Sequence, residues 1–197
     1  ERNYAKKILY GMLYGKGTLR LAQDMNTTVF NAEKYIEDFK QTYPIASSYI
    51  ASAPKSCEKH GYVETIFGRR RYLRNINALN SEEKSRAERQ SKNTVCQGSA
   101  ADLIKVAMVK VDNELRQYNQ NVHAKIGGPA AVMVMQIHDE LLFEVHKDFV
   151  REIAEIIKRC MEQAVKLNVH VPTPVKISVG TNFSDIIPLE KWTRAQQ

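Results

Sequence analysis

The chain has 197 residues, with 29 Lys and Arg against 22 Asp and Glu, a formal net charge of +7 and a pI near 9.3. Its 43% hydrophobic content is enough to bury a core and excludes a disordered tail. The longest apolar run, residues 130–135, is far below the roughly 18 residues that a membrane helix needs. The positive excess is typical of proteins that contact phosphate-rich partners, nucleic acid first among them, although it is also compatible with a charge that only keeps a domain in solution.

No basic segment followed by a short apolar one opens the chain, so the sequence predicts no secretory signal, and the start at Glu1 suggests a longer parent protein. The three cysteines, Cys57, Cys96 and Cys160, are odd in number and widely spaced. This pattern favours neither a disulfide framework nor a zinc site. We expect them to be core residues in a reducing compartment.

In the first half of the chain, helical spacing of apolar residues predicts helices over residues 2–14, 31–42 and 45–59. Residues 61–73 have β-favouring side chains before a Gly-Arg turn, which predicts a short hairpin. A single long helix is predicted from Ser81 to Tyr118.

In the second half, a Gly-Gly-Pro loop precedes a predicted hairpin over residues 131–145, which we expect to be largely buried. An amphipathic helix over residues 148–167 and a strand over residues 175–179 follow. This order predicts an α+β fold in which long helices cover one face of an antiparallel sheet.

The first group of candidate functional residues recurs at every fourth position of one predicted helix. Its members are Arg2, Lys6, Tyr10 and Tyr14, and Gly15 follows directly. Four-residue steps keep side chains on one drifting stripe, and Arg2 to Tyr10 spans about 12 Å, roughly the length of a nucleoside triphosphate. The cations lie at the positive end of the helix dipole, where a polyphosphate is favoured. The alternative is a surface helix with a solvated basic edge.

The second group is Arg89, Asn93 and Gln97, again at four-residue steps. Donors in a line suit the minor groove, where every base pair offers acceptors at similar places. Arg69 and Arg71, in the predicted hairpin, are candidates for phosphate contacts nearby. A solvated helix face explains the same spacing.

The third group, His138, Asp139 and Glu140, interrupts an apolar run and is predicted to lie at the turn of the second hairpin. Carboxylates that converge at a turn can bind a metal ion. Ordinary turn chemistry is the alternative, since Asp is common in turns.

Four segments together resemble the family A DNA polymerases, most closely the eukaryotic theta and nu types. RNYAKKILYGMLYG resembles the fingers motif of that family and HDELLFEV its catalytic palm motif, while GRRRYL and AERQSKNTVCQGSAAD match in order between them. The resemblance implies part of a right-hand polymerase fold. It places helical fingers ending in a basic hairpin at residues 1–75 and the C-terminal part of the palm at residues 76–197.

The resemblance implies a nucleotide-binding role for the first group. Arg2 and Lys6 would hold the incoming triphosphate, and Lys6 would also give a proton to the leaving pyrophosphate. Tyr10 would pack against the incoming sugar and base, and Tyr14, with Gly15 beside it, would stack at the templating position.

For the other two groups, the resemblance implies contacts with DNA and metal. Arg89, Gln97 and His138 would contact the primer terminus and the minor groove, with Asn93 supporting them and with Arg69 and Arg71 on phosphates. Asp139 would be one of two aspartates that bind paired Mg²⁺ ions, and Glu140 would have a secondary catalytic role.

The implied partners are primer–template DNA, deoxynucleoside triphosphates, an N-terminal palm half, a thumb and any exonuclease-like or helicase region. The family's other aspartate lies in a segment of the type Asp-Tyr-Ser-Gln-Ile-Glu, which this chain does not contain. We therefore expect the isolated chain to be inactive. A theta or nu type implies the nucleus, and any other member an intracellular location.

Two other functions fit parts of the pattern. Phage-type RNA polymerases share the Arg, Lys and Tyr-Gly arrangement, but Tyr10 and Glu140 favour DNA synthesis. A non-catalytic duplex-binding module would keep the groove-reading helix and the basic hairpin without the second aspartate.

Overall fold

A computed structural model describes residues 2–166 and 171–192, and for Arg2 and Asn3 it describes the backbone alone. The chain divides into two compact units, Glu1–Asp102 and Leu103–Gln197. This division is one of compactness, and the boundary between fingers and palm after residue 75 stays a prediction. None of the helices in the described ranges is long and apolar enough to cross a membrane.

Four helices open the first unit: α1 (Arg2–Leu13), α2 (Thr18–Met25), α3 (Val29–Thr42) and α4 (Pro44–His60). Helices α1, α3 and α4 lie where apolar spacing predicts them. Helix α2 is absent from the sequence-based prediction; it is short and begins at Gly17 without a side-chain cap. Its Leu21 packs so close to α1 that a Cβ on Gly11 would be 3.1 Å from Leu21 Cδ1.

Local signals fix the ends of the longer helices. The Thr28 hydroxyl accepts a hydrogen bond from the Asn31 amide and caps α3, and Pro44 begins α4, where its missing N–H is not needed. Gly61 ends α4 with a φ of 76°, a left-handed conformation that favours glycine. The chain then turns directly into the hairpin.

The hairpin pairs β1 (Tyr62–Glu64) with β2 (Arg70–Tyr72) in antiparallel fashion. Its inner side closes a small core of buried residues from α4, the hairpin and the helix that follows: Cys57, Val63, Leu73, Ile76 and Ala87. This core anchors the basic hairpin, which the sequence predicts correctly.

The predicted single helix from Ser81 to Tyr118 is wrong in two respects. Helix α5 (Ser81–Asn93) is followed by a π turn over Thr94–Gly98, and α6 (Ser99–Ile126) then continues eight residues beyond the predicted end. Asn80 caps α5 by accepting hydrogen bonds from the amides of Glu82 and Glu83. The π turn has no sequence signal, because i to i+5 bonding is a response to packing around it.

The second unit contains the hairpin of β3 (Ala131–Ile137) and β4 (Glu140–Val145), helix α7 (Val150–Glu162), and a short pair of β5 (Ser178–Val179) with β6 (Ile187–Pro188). Its core brings one face of the hairpin against two helices. Buried there are Val111, Leu115, Ala131, Ile153, Ile157 and Cys160. The α+β class with long helices over an antiparallel hairpin is confirmed.

Two elements of this unit are shorter than the sequence predicts. Helix α7 ends at Glu162, whereas the predicted helix extends to residue 167, which itself lies outside the described residues. Only Ser178 and Val179 of the predicted strand 175–179 pair with another strand. Glu162 Oε1 instead accepts from the Val175 amide at 3.0 Å, which ties the returning chain to the end of α7.

The three cysteines are free thiols, and Cys57 and Cys160 are buried as predicted, whereas Cys96 is half-buried. Burial raises the pKa of all three thiols above the usual value. They are therefore protonated at neutral pH and behave as core residues.

A hydrogen bond in the second unit gives a test of its packing. Tyr118 Oη donates to Glu152 Oε2 at 2.6 Å, and burial together with this bond raises the pKa of Tyr118 from 10 to about 12. We expect Tyr118→Phe to lower the free energy of unfolding by about 1 kcal/mol at pH 8. Because the folded pKa lies above the unfolded value, the difference from wild type is present below pH 10 and disappears as the pH rises through about 12.

Urea denaturation from pH 8 to pH 12 measures this difference. Tyr49→Phe, which alters an exposed tyrosine, serves as the control and should match wild type throughout. A Tyr118→Phe protein as stable as wild type at pH 8 would show that the bond contributes nothing.

Candidate functional site

Of the first group of predicted residues, Lys6 and Tyr10 are exposed on α1, and Tyr14 follows the end of the helix and is half-buried. The Tyr10 and Tyr14 rings stack with their centroids 5.8 Å apart and an interplanar angle of 28°. Tyr10 is 47% exposed, so one face of this stack is open to a ligand. The side chain of Arg2, the first member, lies outside the described residues.

The two neighbouring lysines of α1 differ in their surroundings. Lys7 Nζ donates to the Asp24 carbonyl at 2.6 Å, which fastens α1 to α2. No hydrogen bond or ion pair to Lys6 is present within the described ranges. Lys6 is therefore the lysine whose charge is available to an anionic ligand, and Lys7 is a structural lysine.

The end of the α1 stripe lies against the start of the second group. Gly15 has a φ of 63°, and a Cβ there would be 3.0 Å from Arg89 Cγ and 3.7 Å from Arg89 Cα. A Cβ at this position would require the Arg89 side chain to shift by a few tenths of an ångström, and the positive φ itself favours glycine. The structure thus brings the predicted nucleotide-binding and groove-reading residues into contact, which spacing along the sequence does not reveal.

Arg89 and Gln97 are exposed, whereas Asn93 is half-buried. The Asn93 side-chain oxygen is buried and has no hydrogen-bond partner among the described residues. A buried acceptor without a donor costs about 1 to 3 kcal/mol. The π turn separates Asn93 from Gln97.

Arg69 and Arg71, predicted as phosphate contacts, have partners within the chain. Arg69 donates to Asp102 and to the Gly98 carbonyl, and Arg71 Nη1 donates to Thr94 Oγ1 at 3.0 Å. A guanidinium has five N–H groups, so both side chains keep donors for other acceptors.

Several other cations of this unit, among them Lys16, Arg70 and Lys84, are paired with carboxylates. Glu64 Oε1 accepts from Arg70 at 2.8 Å and raises the pKa of that guanidinium, while the hydrogen bond from Lys16 lowers the pKa of Asp24. The pKa of Lys84 is raised by its bond to Glu58. These pairs reduce the positive charge around them, in contrast to Lys6, which has no ion pair among the described residues.

The third group lies at the exposed tip of the second hairpin, in the other unit. Ile137 pairs with Glu140, so His138 and Asp139 form a two-residue turn, and Glu140 is the first residue of β4 rather than part of the turn. His138 has a φ of 55°, which costs a residue other than glycine about 1 to 2 kcal/mol. Gln136 Nε2 donates to the His138 carbonyl at 3.2 Å and holds this conformation.

The expectation that this hairpin is largely buried is wrong. Val132, Val134, Met135 and Ile137 are each at least 40% exposed. Val132 faces away from the core by ordinary alternation, and a β-bulge at Val134 exposes Met135 and Ile137, since the register shifts between Met133 and Met135. Ala131 and Met133 face the core, and after the extra residue the alternation inverts, so Met135 and Ile137 face away from it.

The donor chemistry at the tip suits Mg²⁺. Asp139 and Glu140 are adjacent exposed carboxylates, and Mg²⁺ in phosphate-handling sites is bound through one or two carboxylates with water and substrate phosphates as the other ligands. No cluster of three or more His, Cys, Asp or Glu that could hold a metal ion occurs in residues 2–166 and 171–192. The tip can therefore contribute to a magnesium site that substrate oxygens complete.

Comparison with known proteins identifies the family. The profile of DNA polymerase family A matches residues 1–185. The chain belongs to the family A DNA polymerases. This confirms the resemblance, and neither alternative, the RNA polymerase nor the non-catalytic module, is favoured.

The similar proteins include DNA polymerases named theta and DNA polymerases named I. DNA polymerase theta of Drosophila melanogaster is 37% identical over 93% of this chain, and DNA polymerase I of Deinococcus radiodurans is 37% identical over 94%. The chain spans 9% of the first protein and 18% of the second. Among solved structures, the POL domain of Pol1 from M. smegmatis, in complex with DNA primer-template and dNTP, has a TM-score of 0.74 and 33% identity over 87% of this chain and 28% of its own.

Proposed function

We propose that this chain supplies part of the catalytic region of a DNA polymerase that adds deoxynucleoside triphosphates to a primer 3′ hydroxyl. The contact between Gly15 and Arg89 is the main support. An incoming nucleotide pairs beside the primer terminus, so residues that hold it must adjoin residues that read the last base pair. The stripe on α1 and the stripe on α5 adjoin in this way.

On α1, Lys6 neutralises the triphosphate, and its ammonium gives a proton to the pyrophosphate as negative charge develops there. Tyr10 packs against the sugar and base of the incoming nucleotide, and Tyr14, with Gly15 beside it, stacks at the templating position. Arg2 acts with Lys6 on the triphosphate. The open face of the tyrosine stack supports this assignment.

On α5 and the π turn, Arg89 and Gln97 donate to minor-groove acceptors at the primer terminus, and His138 contributes from the palm hairpin. Asn93 supports them, and a donor on DNA or on a rearranged Arg89 would satisfy its buried oxygen. Arg69 and Arg71 use their remaining donors on backbone phosphates. Such contacts test the geometry of a base pair without reading its sequence.

At the hairpin tip, Asp139 binds metal with Glu140 in a supporting role, and a second aspartate comes from outside this sequence. Together these carboxylates would hold two Mg²⁺ ions, which would supply activation of the primer 3′ hydroxyl and charge neutralisation at the leaving pyrophosphate. A theta-like parent enzyme, with a nuclear location, is the version of this proposal that the Drosophila melanogaster relative supports.

The 197-residue chain alone tests the duplex-binding part of the proposal. We expect weak binding to primer–template DNA without sequence preference, and an affinity that falls steeply with salt because interactions with phosphates dominate. Neutralising a Lys or Arg that binds a phosphate should reduce the log–log slope by about 0.9. We expect no primer extension, since Asp139 and Glu140 cannot hold two ions in line with the 3′ hydroxyl without the second aspartate.

A salt titration of fluorescence anisotropy and a gel assay with Mg²⁺ and all four deoxynucleotides measure these properties. Salt-insensitive, sequence-specific binding would overturn the proposed use of the basic surface. Extension by the chain alone would show that a substitute for the second aspartate lies within it.

The Tyr10 hydroxyl gives a test of the nucleotide-binding assignment. In a polymerase that contains this chain, Tyr10→Phe should increase discrimination against dideoxynucleotides, because the tyrosine hydroxyl replaces the absent 3′ hydroxyl of the substrate. A hydrogen bond in such a site contributes about 1 to 3 kcal/mol, which corresponds to about 5- to 150-fold in the incorporation ratio.

Single-nucleotide incorporation with paired deoxy and dideoxy substrates gives this ratio. Tyr4→Phe, on an exposed tyrosine of the same helix, is the matched control and should leave the ratio unchanged. Equal ratios for Tyr10→Phe and wild type would remove Tyr10 from the sugar site.

A further inference from the structure

Two arginines of the first hairpin span the π turn, and we refer to Arg69, Arg71 and their acceptors as the arginine bridge. Arg69 Nε donates to Asp102 Oδ1 at 2.7 Å, and its Nη2 donates to the Gly98 carbonyl at 3.2 Å. At the other end, Arg71 donates to Thr94 Oγ1, which in turn donates to the Gln90 carbonyl at 2.7 Å. The bridge therefore joins the last turn of α5, the π turn and the start of α6.

Close packing beneath the bridge leaves the π turn little freedom. A Cβ on Gly98 would be 3.0 Å from Thr65 Cγ2 and 3.3 Å from Thr94 Cγ2, so the hairpin rests directly on this glycine. The Ser99 hydroxyl donates to the Val95 carbonyl and accepts from the Ile66 amide at 3.0 Å. The Asp102 side chain is only 11% exposed, which strengthens its bond to Arg69 relative to a surface pair.

The π turn changes the direction in which Gln97 points. In a regular α-helix, a step of four residues overshoots one full turn by about 40°. A π turn holds more residues per turn, so the same step rotates Gln97 less relative to Asn93 than an uninterrupted helix would. The direction of Gln97 therefore depends on whether the π turn is kept.

We propose that Asp102 is a positioning residue for recognition of the primer terminus: by holding Arg69 across the π turn, it fixes the direction in which Gln97 follows Arg89 and Asn93. Asp102 touches neither DNA nor nucleotide in this role, and acts through the turn. The inference rests on the proposed function of Gln97. It gives a role to a carboxylate that ends the segment AERQSKNTVCQGSAAD and was not among the residues predicted for the site.

The test compares Asp102→Asn, Gln97→Ala and the double variant in a polymerase that contains this chain. We expect Asp102→Asn to slow extension of a matched primer about tenfold while the KM for the nucleotide changes little, because Lys6 and Tyr10 are not displaced. Extension of a primer with a mismatched terminus should slow less, so the matched-to-mismatched ratio falls. The double variant should be no slower than Gln97→Ala alone, since both changes disable the same interaction.

Two further variants distinguish the effect of the contacts that Arg69 makes across the π turn from the effect of its positive charge. Arg69→Lys keeps the charge, but a single ammonium does not reproduce the forked contact with Asp102 and Gly98, so it should behave like Asp102→Asn. Glu64→Gln is the matched control, because it removes a carboxylate from the 2.8 Å pair with Arg70 in the same hairpin. It should leave the rate and the matched-to-mismatched ratio at wild-type values.

The outcomes separate the two proposals. If the wild-type polymerase extends primers and the effects of Asp102→Asn and Gln97→Ala multiply in the double variant, the positioning role is wrong and the proposed function stands. An unchanged ratio in Asp102→Asn has the same meaning, since loss of stability alone slows matched and mismatched extension equally. Absence of extension by the wild-type polymerase overturns the proposed function and this inference with it.

Hydrogen exchange on the 197-residue chain provides a measurement that does not depend on activity. In Asp102→Asn, amides of residues 94–99 should exchange at least severalfold faster than in wild type, and in Glu64→Gln they should not. Equal protection of these amides in Asp102→Asn and wild type would show that the bridge does not hold the turn.

Discussion

In a polymerase that contains this chain, Asp139→Asn is expected to reduce nucleotide addition by about 10³-fold or more while leaving duplex affinity within about twofold of wild type. The carboxylate lies at the exposed hairpin tip, where its proposed partners are metal ions and not DNA. An amide keeps the shape of the side chain but loses the charge that attracts a divalent cation. The substitution should therefore lower the rate of nucleotide addition without a matching loss of affinity for duplex DNA.

Single-turnover extension at saturating Mg²⁺ and anisotropy with the same duplex measure the two quantities. Asp148→Asn removes an equal charge from an exposed residue of the same unit and should retain the wild-type rate. Glu140→Gln should fall between the two, as expected of a supporting carboxylate. Turnover by Asp139→Asn within a few fold of wild type would defeat the metal assignment.

Lys6→Ala should lower kcat/KM for nucleotide addition by about 10²- to 10³-fold, through both weaker triphosphate binding and a slower chemical step. Its charge is needed most as pyrophosphate charge develops, so the loss in the chemical step should exceed the loss in binding. Pre-steady-state kinetics over a range of nucleotide concentrations separates the two contributions.

Lys7→Ala is a demanding control, because it removes the same charge from the next residue of α1. Lys7 donates to the Asp24 carbonyl, so this variant should lose some thermal stability and keep its rate. If the two alanine variants slow addition equally, the effect comes from general charge on α1, and the specific role of Lys6 is wrong.

The elements with local signals could be predicted from the sequence. Apolar spacing located α1, α3 and α4, and the Gly-Arg turn located the first hairpin. Helix α2 was not predicted from the sequence, because its eight residues have no side-chain cap and only one short buried face. That face consists of Leu21, Ala22 and Met25. In such short helices, packing decides and propensity contributes little.

The sequence predicted which candidate residues share a helix face, but it did not predict how those faces are placed relative to one another. Four-residue spacing shows that Arg89, Asn93 and Gln97 share a face, but the π turn between the last two depends on the hairpin packed above Gly98. The approach of Gly15 to Arg89 is likewise a contact between residues distant in the chain. Asp102 lies at the end of the matched segment AERQSKNTVCQGSAAD, but its pairing with Arg69, 33 residues away, has no signal in the sequence.

The bulge at Val134 also has a consequence for how the chain folds. With an uninterrupted ladder, Val134 would pair with Leu142 and Gln136 with Glu140, which would leave Ile137, His138 and Asp139 in a three-residue loop. That slipped hairpin would bury Met135 and satisfy the simple alternation, so it competes with the native one during folding. An error of one residue at this early step would therefore change the direction of Asp139, the carboxylate proposed to bind metal, without any change at that residue itself.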